Sequence, residues 1–315
     1  MVTLPWENQT VMEFVLKGFS SIQELNIFLF MMFLVLYILI ISGNTLIVLL
    51  VLFNHPLHTP MYFFLVNLSF LEMWYTSNIV PKMLLTILAR QKTISVAGCL
   101  AQFYFFGSLA ATECLLLAVM SYDRYLAICQ PLHYPILMTG PFCIRLATSS
   151  WLCCFLLTTI TMVLLSRLTF CGPNEIDHFF CDFAPLVHLS CMDTSLTEMI
   201  AYATSSAVTL IPFLFITASY SCILAAILRI PSGTGRQKAF STCSSHLTVV
   251  MVFYGTLIAT YLVPSTNSSH LLHKGFSLLY TILTPMFNPI IYSLRNRDIH
   301  EALKKCLSKK PGFLR

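Results

Sequence analysis

Charge is the scarcest ingredient of this chain. Of its 315 residues only 10% are Asp, Glu, Lys or Arg, against 57% hydrophobic, and the mean hydropathy is +0.78. A soluble fold of this size would have too few charges to cover its surface, so the composition places the chain in a membrane. Internal repetition is also missing, which argues against the duplicated architecture of many transporters. There is no low-complexity tract and no linker long enough to separate two domains, so one membrane domain occupies nearly the whole sequence. No cleavable signal peptide is evident, which leaves the first apolar segment as the insertion signal.

Seven apolar runs are present: Ile27–Phe53, Met61–Leu88, Val96–Ile128, Phe142–Leu165, Thr197–Leu228, His246–Val263 and Gly275–Tyr292. Each is about long enough to cross a bilayer as a helix. The expected fold is an all-α membrane protein, a seven-transmembrane helix bundle with a short amphipathic C-terminal helix. A tail covers residues 1–26, the seven-helix domain 27–293 and a second tail 294–315. Lys and Arg set the orientation. With the N-terminus outside, twelve of the 18 fall on the cytoplasmic side, among them Arg124, Arg145, Arg229, Arg236, Lys238 and the cluster from Arg295 to Arg315. The net charge of +5 is therefore a topology signal and does not call for nucleic acid. In that orientation the sequons Asn8-Gln-Thr10 and Asn267-Ser-Ser269 are both extracellular, and Asn8 is the expected glycosylation site. Asn67-Leu-Ser69 lies inside the second span and is a chance match.

The third run closes on Met120-Ser-Tyr-Asp-Arg-Tyr-Leu-Ala-Ile-Cys129, where the adjacent pair Asp123 and Arg124 marks the point at which the helix meets water. Two acids lie deeper. Glu72 is eleven residues from Met61 and Glu113 eleven from Arg124, so each sits about 16 Å above the cytoplasmic boundary. Ionisable groups at such depth are rare and usually functional. Facing each other, the two would share a proton or hold a monovalent cation such as Na+, with Asn44 at a similar level to supply an oxygen. Protonated acids hydrogen-bonded for packing are the plainer alternative. An intramembrane protease would need a second motif, and there is none. The last run holds Pro285-Met-Phe-Asn-Pro-Ile-Ile-Tyr292, a kinked helix in which Asn288 is expected to satisfy a carbonyl that Pro289 leaves free.

Of twelve cysteines, Cys114, Cys129, Cys143, Cys153, Cys154, Cys222 and Cys243 lie in spans or at inner faces and behave as small apolar residues. Cys99, Cys171, Cys181 and Cys191 fall outside, where two disulfides with three possible connectivities are expected.

Five strings stand in order along the chain: Leu57-His-Thr-Pro-Met-Tyr-Phe-Phe-Leu65, the Met120–Cys129 segment, Ser219-Tyr220, Lys238-Ala-Phe-Ser-Thr-Cys-Ser-Ser-His-Leu247 and Pro285 to Asn296. Together they resemble the signature set of vertebrate olfactory (odorant) receptors of the tetrapod-type class, within the rhodopsin-like G-protein-coupled receptors. Glu72 stands where aspartate is more usual in that family, so the carboxylate is kept. A non-olfactory receptor of the same superfamily would usually lack the Pro60-Met-Tyr and Lys238-Ala-Phe-Ser-Thr-Cys strings. A channel or transporter would need a polar path through the outer half.

The resemblance implies a Cys99–Cys181 bridge, a Cys171–Cys191 bridge, a plasma-membrane receptor without enzymatic activity or required cofactor, and coupling to a stimulatory olfactory-type G protein that raises cyclic AMP. It implies activation by population shift, in which Arg124 is held by Asp123 and then released while Tyr220 and Tyr292 swing toward it. Tyr125, Lys238, His246, Asn288 and Pro289 complete that switch. Resemblance and helical phase place a small, volatile, neutral odorant among Phe106, Gly107, Ala110, Ala111 and Cys114, Thr204, Ser205 and Val208, Tyr254, Leu257 and Tyr261, and Leu278 and Thr281. Tyr261 is the leading hydrogen-bond donor. His178-Phe-Phe-Cys181-Asp182 has metal-binding residue types, but a disulfide-bonded Cys181 is no thiolate ligand, and a hydrogen-bonding loop histidine is the simpler expectation. Beyond the last span, Asp298-Ile-His-Glu301 reads as a capping box for an amphipathic helix, with Cys306 a candidate for palmitoylation.

Overall fold

The structure is a computed structural model that describes residues 11–18, 25–88, 92–171, 173–229, 233–262, 270–295, 299 and 301–304. Helix dominates, because an apolar run in lipid has to satisfy its backbone groups within itself. The helices are α1 (Asn26–Phe53), α2 (Pro60–Leu88), α3 (Val96–Cys129), the short α4 (Tyr134–Leu137), α5 (Gly140–Leu165), the short α6 (Phe183–His188), α7 (Ser195–Leu228), α8 (Gly233–Leu262), α9 (His270–Leu278) and α10 (Thr284–Arg295). A wide π turn over Leu279–Leu283 joins α9 to α10. Pro285 follows one residue later, after Thr284, and its ring removes the N–H that an ordinary helical turn would use there.

Among the described residues, α1, α2, α3, α5, α7, α8 and the continuous stretch from α9 through α10 coincide with the seven apolar runs. Among the described residues α1, α3, α5 and α7 are long and apolar enough to cross a membrane by composition alone. Asn67, Glu72, Asn78 and Lys82 lower the apolarity of α2. The largest departure from the sequence expectation is α8, which begins at Gly233, well before the apolar run that opens at His246. Gly233 to Ser245 is helical but polar, and a hydrophobic-run criterion does not see it. Exposed Phe28 and Met31 on α1, Leu152 and Leu156 on α5, and Leu210 and Leu214 on α7 are faces suited to lipid.

The chain divides into two compact units. The first comprises Met1–Tyr37, Trp74–Thr112 and Trp151–Leu210; the second comprises Ile38–Met73, Glu113–Ser150 and Ile211–Arg315.

The first unit contains a small sheet that the composition of the N-terminal tail does not announce. Strand β1 (Glu13–Leu16) lies between β2 (Thr93–Ser95), to which it is antiparallel, and β3 (Glu175–Ile176), to which it is parallel. Alternation along β1 sends Phe14 and Leu16 inward, both fully buried, while Glu13 faces out. They pack with Cys99, Leu100, Phe103, Leu165, Phe170, Ile176 and Leu186, and the Phe14 and Phe170 rings meet edge-on at 5.2 Å. Lys17 pairs with Glu175 at 2.7 Å, which raises the pKa of Lys17 through the hydrogen bond and the carboxylate charge. Gly18 then takes φ 53°, a left-handed conformation that glycine adopts without a Cβ clash.

The two disulfides expected from the resemblance are both formed. Cys99 is bonded to Cys181 and Cys171 to Cys191, with Cα atoms 5.4 and 5.9 Å apart. Gln102 reinforces the first. Its Oε1 accepts from the Cys181 N–H at 2.9 Å, and its Nε2 donates to the Asn78 carbonyl at 3.0 Å, so one buried amide ties α2, α3 and the cysteine-bearing loop together. Asp182 caps α6 by accepting from the Phe183 N–H at 2.8 Å. Burial outweighs that bond and raises the pKa of Asp182.

Candidate functional site

The second unit holds most of the groups expected to switch. Helix α3 ends at Cys129, and Gln130-Pro131 turns the chain so that α4 comes back alongside it. Asp123 is completely buried there. Its Oδ2 accepts from Arg124 Nε at 2.9 Å and from Nη2 at 2.5 Å. Its other oxygen, Oδ1, accepts from the Tyr134 hydroxyl at 2.8 Å. Burial, and then the adjacent Asp123 charge, raise the pKa of Tyr134 and keep it a donor. Sequence reasoning foresaw the Asp123–Arg124 pair and missed Tyr134, whose only signal is the Pro131 turn that reverses the chain after α3.

Across the same unit the Tyr220 hydroxyl meets His246 Nδ1 at 2.5 Å, with the two rings stacked at 5.7 Å. Tyr125 accepts a long bond of 3.5 Å from Gln130. The side chains of Lys238 and Tyr292 lie outside the described residues, as do Asn8, Asn267, Asp298 and Cys306. Ile299 is buried, and 301–304 are helical.

Deeper in this unit lies a second polar cluster. Glu72 and Glu113 are both buried, and Glu72 feels the charge of Glu113. Asn288 Nδ2 donates to Glu72 Oε1. The expectation that Asn288 would serve a carbonyl freed by Pro289 is corrected by this contact. The freed carbonyl is that of Pro285, four residues back, and it accepts instead from Asn44 Nδ2 of α1 at 3.3 Å. The approach is close because Gly43 lies against Pro289; a Cβ at Gly43 would come within 3.3 Å of that ring. Asn44 Oδ1 and Glu113 Oε1 are buried without a hydrogen-bond partner among the described residues, two oxygens available to a cation or a proton.

The candidate ligand residues divide between the units. Phe106, Gly107, Ala110, Ala111, Thr204, Ser205 and Val208 belong to the first. Phe106 is buried against Tyr75 and Phe180, with centroids at 5.5 and 4.8 Å. Gly107 faces α5, where a Cβ would lie 3.3 Å from Thr158. The hydroxyls of Thr204 and Ser205 bond to their own helix, at Ile200 and Tyr202. Cys114, Tyr254, Leu257, Leu278 and Thr281 belong to the second. Tyr254 is buried beside Cys114 and packs on Phe213 at 5.0 Å, and Thr281 donates to the Ser277 carbonyl at 2.7 Å. The Tyr261 side chain is outside the described residues. None of these positions carries a formal charge.

His178 is buried against the Phe179 and Phe180 rings at 4.6 and 4.5 Å, and the neighbouring Cys181 is in its disulfide. Among the described residues no three His, Cys, Asp or Glu side chains gather as a metal site.

Comparison with known proteins gives one consistent result. Residues 33–310 match the family described as "Olfactory receptor". Human olfactory receptor 11A1 is 52% identical over 303 residues, covering 96% of each chain. Human olfactory receptor 6B1 is 50% identical over 300 residues, covering 95% of this chain and 96% of its own. Mouse olfactory receptor 6B9 is 46% identical over 303 residues, covering 96% of each.

Proposed function

The chain belongs to the olfactory receptor family, rhodopsin-like G-protein-coupled receptors built as seven-helix membrane bundles, and from that premise we propose that it detects a small neutral volatile and activates a stimulatory olfactory-type G protein. It is a multi-pass plasma-membrane protein and not an enzyme. The orientation we propose, N-terminus outside and Asn8 glycosylated, rests on the excess of Lys and Arg on the opposite side.

The observation that carries the switch is the double bonding of Asp123. An arginine at the end of α3 is held by a fully buried carboxylate whose second oxygen is occupied by Tyr134. A ligand that binds better to an arrangement with Arg124 released shifts the population toward it, and the free guanidinium then lines the cleft that receives the G protein. Tyr220, His246, Tyr125, Lys238 and Tyr292 act around that cleft, and Asn288 and Pro289 form the joint. Glu72 and Glu113, with Asn44 and Asn288 beside them, hold a sodium ion or share a proton. The uncharged ligand positions support a neutral odorant, bound by shape and by one or two hydrogen bonds, with Tyr261 as the leading donor.

Cyclic AMP measured in cells that express the chain with an olfactory G protein, against a panel of neutral volatiles, tests the reading. The expected result is a response that Arg124→Ala abolishes at equal surface staining. A response untouched by Arg124→Ala overturns the switch. In the same assay Tyr261→Phe should right-shift oxygenated ligands by about 5–10-fold, the worth of one hydrogen bond; unchanged curves for all of them remove Tyr261 from the pocket.

A further inference from the structure

The C-terminal end of α7 and the N-terminal end of α8 border a cleft of about 490 Å³ within the second unit. Its volume lies inside the ~300–1,000 Å³ range of small-molecule sites. On α7 the walls are Leu224, Ile227 and Leu228, spaced so that they share one helix face. On α8 they are Arg236, Gln237 and Phe240. Three apolar walls are left open: Leu224 is 41% exposed, Phe240 56% and Leu228 71%. Arg236 is exposed and has no ion-pair partner among the described residues, and neither has Arg229 one residue beyond Leu228. No Asp or Glu occurs anywhere between Glu198 and Asp298. An uncompensated positive charge thus stands at the mouth of an uncovered apolar groove, where two membrane helices end.

We propose that this cleft binds an anionic membrane lipid, with an acyl chain laid along Leu224, Leu228 and Phe240 and the phosphate held by Arg236. A guanidinium matches a phosphate as a forked donor, and the arginine stem lies along apolar surface while its head reaches the phosphate level. A free phosphate would leave Leu228 and Phe240 uncovered, and a zwitterionic lipid would set its own cation against Arg236. The site needs only that the chain spans a membrane. It does not depend on the ligand, the G protein or the orientation proposed above.

Native mass spectrometry of the purified full-length chain, titrated with phosphatidylglycerol or phosphatidylcholine of the same acyl chains, reads the site directly. The first phosphatidylglycerol adduct should form several-fold more tightly than the phosphatidylcholine adduct. Arg236→Gln should cut that preference about five-fold, the worth of one arginine near an anionic surface, and Arg236→Lys should keep part of it. Gly233→Trp is the second variant. Gly233 also lines the cleft, and a Cβ there meets nothing within 4 Å, so a bulky side chain can be introduced at the groove without a backbone clash. It should remove the tight adduct with Arg236 intact. Equal affinity for the two lipids, a preference that survives both Arg236→Gln and Gly233→Trp, or displacement of the lipid by millimolar inorganic phosphate overturns the proposal.

Discussion

Tyr134 shows how much one hydroxyl can decide. It occupies the oxygen of Asp123 that Arg124 does not use, and a hydrogen bond to a charged group contributes about 1.5–3 kcal/mol. Removing it with Tyr134→Phe leaves Asp123 with fewer fixed partners and weakens the restraint on Arg124. The expected outcome is ligand-independent cyclic AMP raised several-fold per receptor at the surface. An unchanged basal level would make Tyr134 a packing residue only. Neighbouring acid and base were legible in the sequence, since a charge pair closing an apolar run has to sit at a boundary. Tyr134 was not, because its partner lies eleven residues back across a chain reversal. The same holds for Asn44, whose polarity in an apolar run stands out, while its service to the Pro285 carbonyl depends on α1 and α10 meeting 241 residues apart in sequence.

Helices and strands were legible to very different degrees. The ends of α1, α2, α3 and α5 fall within about two residues of the apolar runs, because bilayer thickness fixes how long such a run has to be. The start of α8 was hidden, since a polar helical stretch leaves no hydropathy trace. Strand β1 was hidden for another reason. Four residues, three of them apolar and consecutive, inside a polar tail carry almost no period, and the strand exists only because Thr93–Ser95 and Glu175–Ile176 arrive on either side of it. Its weight is testable. Phe14→Ala empties a fully buried site and should destabilise by about 3–5 kcal/mol, lowering the melting temperature of purified receptor and its surface level. Glu13→Ala, facing outward, should leave both alone. Equal behaviour of the two variants would mean that the sheet is ornamental.

For the molecule as a whole, the two disulfides should not count equally. Cys99–Cys181 closes 82 residues and Cys171–Cys191 closes 20. Constraint of the unfolded chain grows slowly with loop length, from about 3 kcal/mol at 15 residues to about 4.7 at 100. The longer bridge is also held by Gln102, which touches α2 and the loop at once. Thermal unfolding should therefore show a larger loss for Cys99→Ser paired with Cys181→Ser than for Cys171→Ser paired with Cys191→Ser. A reversed order would place the stability of the first unit in the shorter loop. The N-terminal strand also imposes a timetable on synthesis. Val15 pairs with Glu175, which follows 160 residues later. At the ~5–20 residues per second of a translating ribosome, Phe14 and Leu16 wait roughly 8–30 s for the partners that cover them. Through that interval an early segment waits on one made about halfway along the chain, and a chaperone has a short apolar strand to hold.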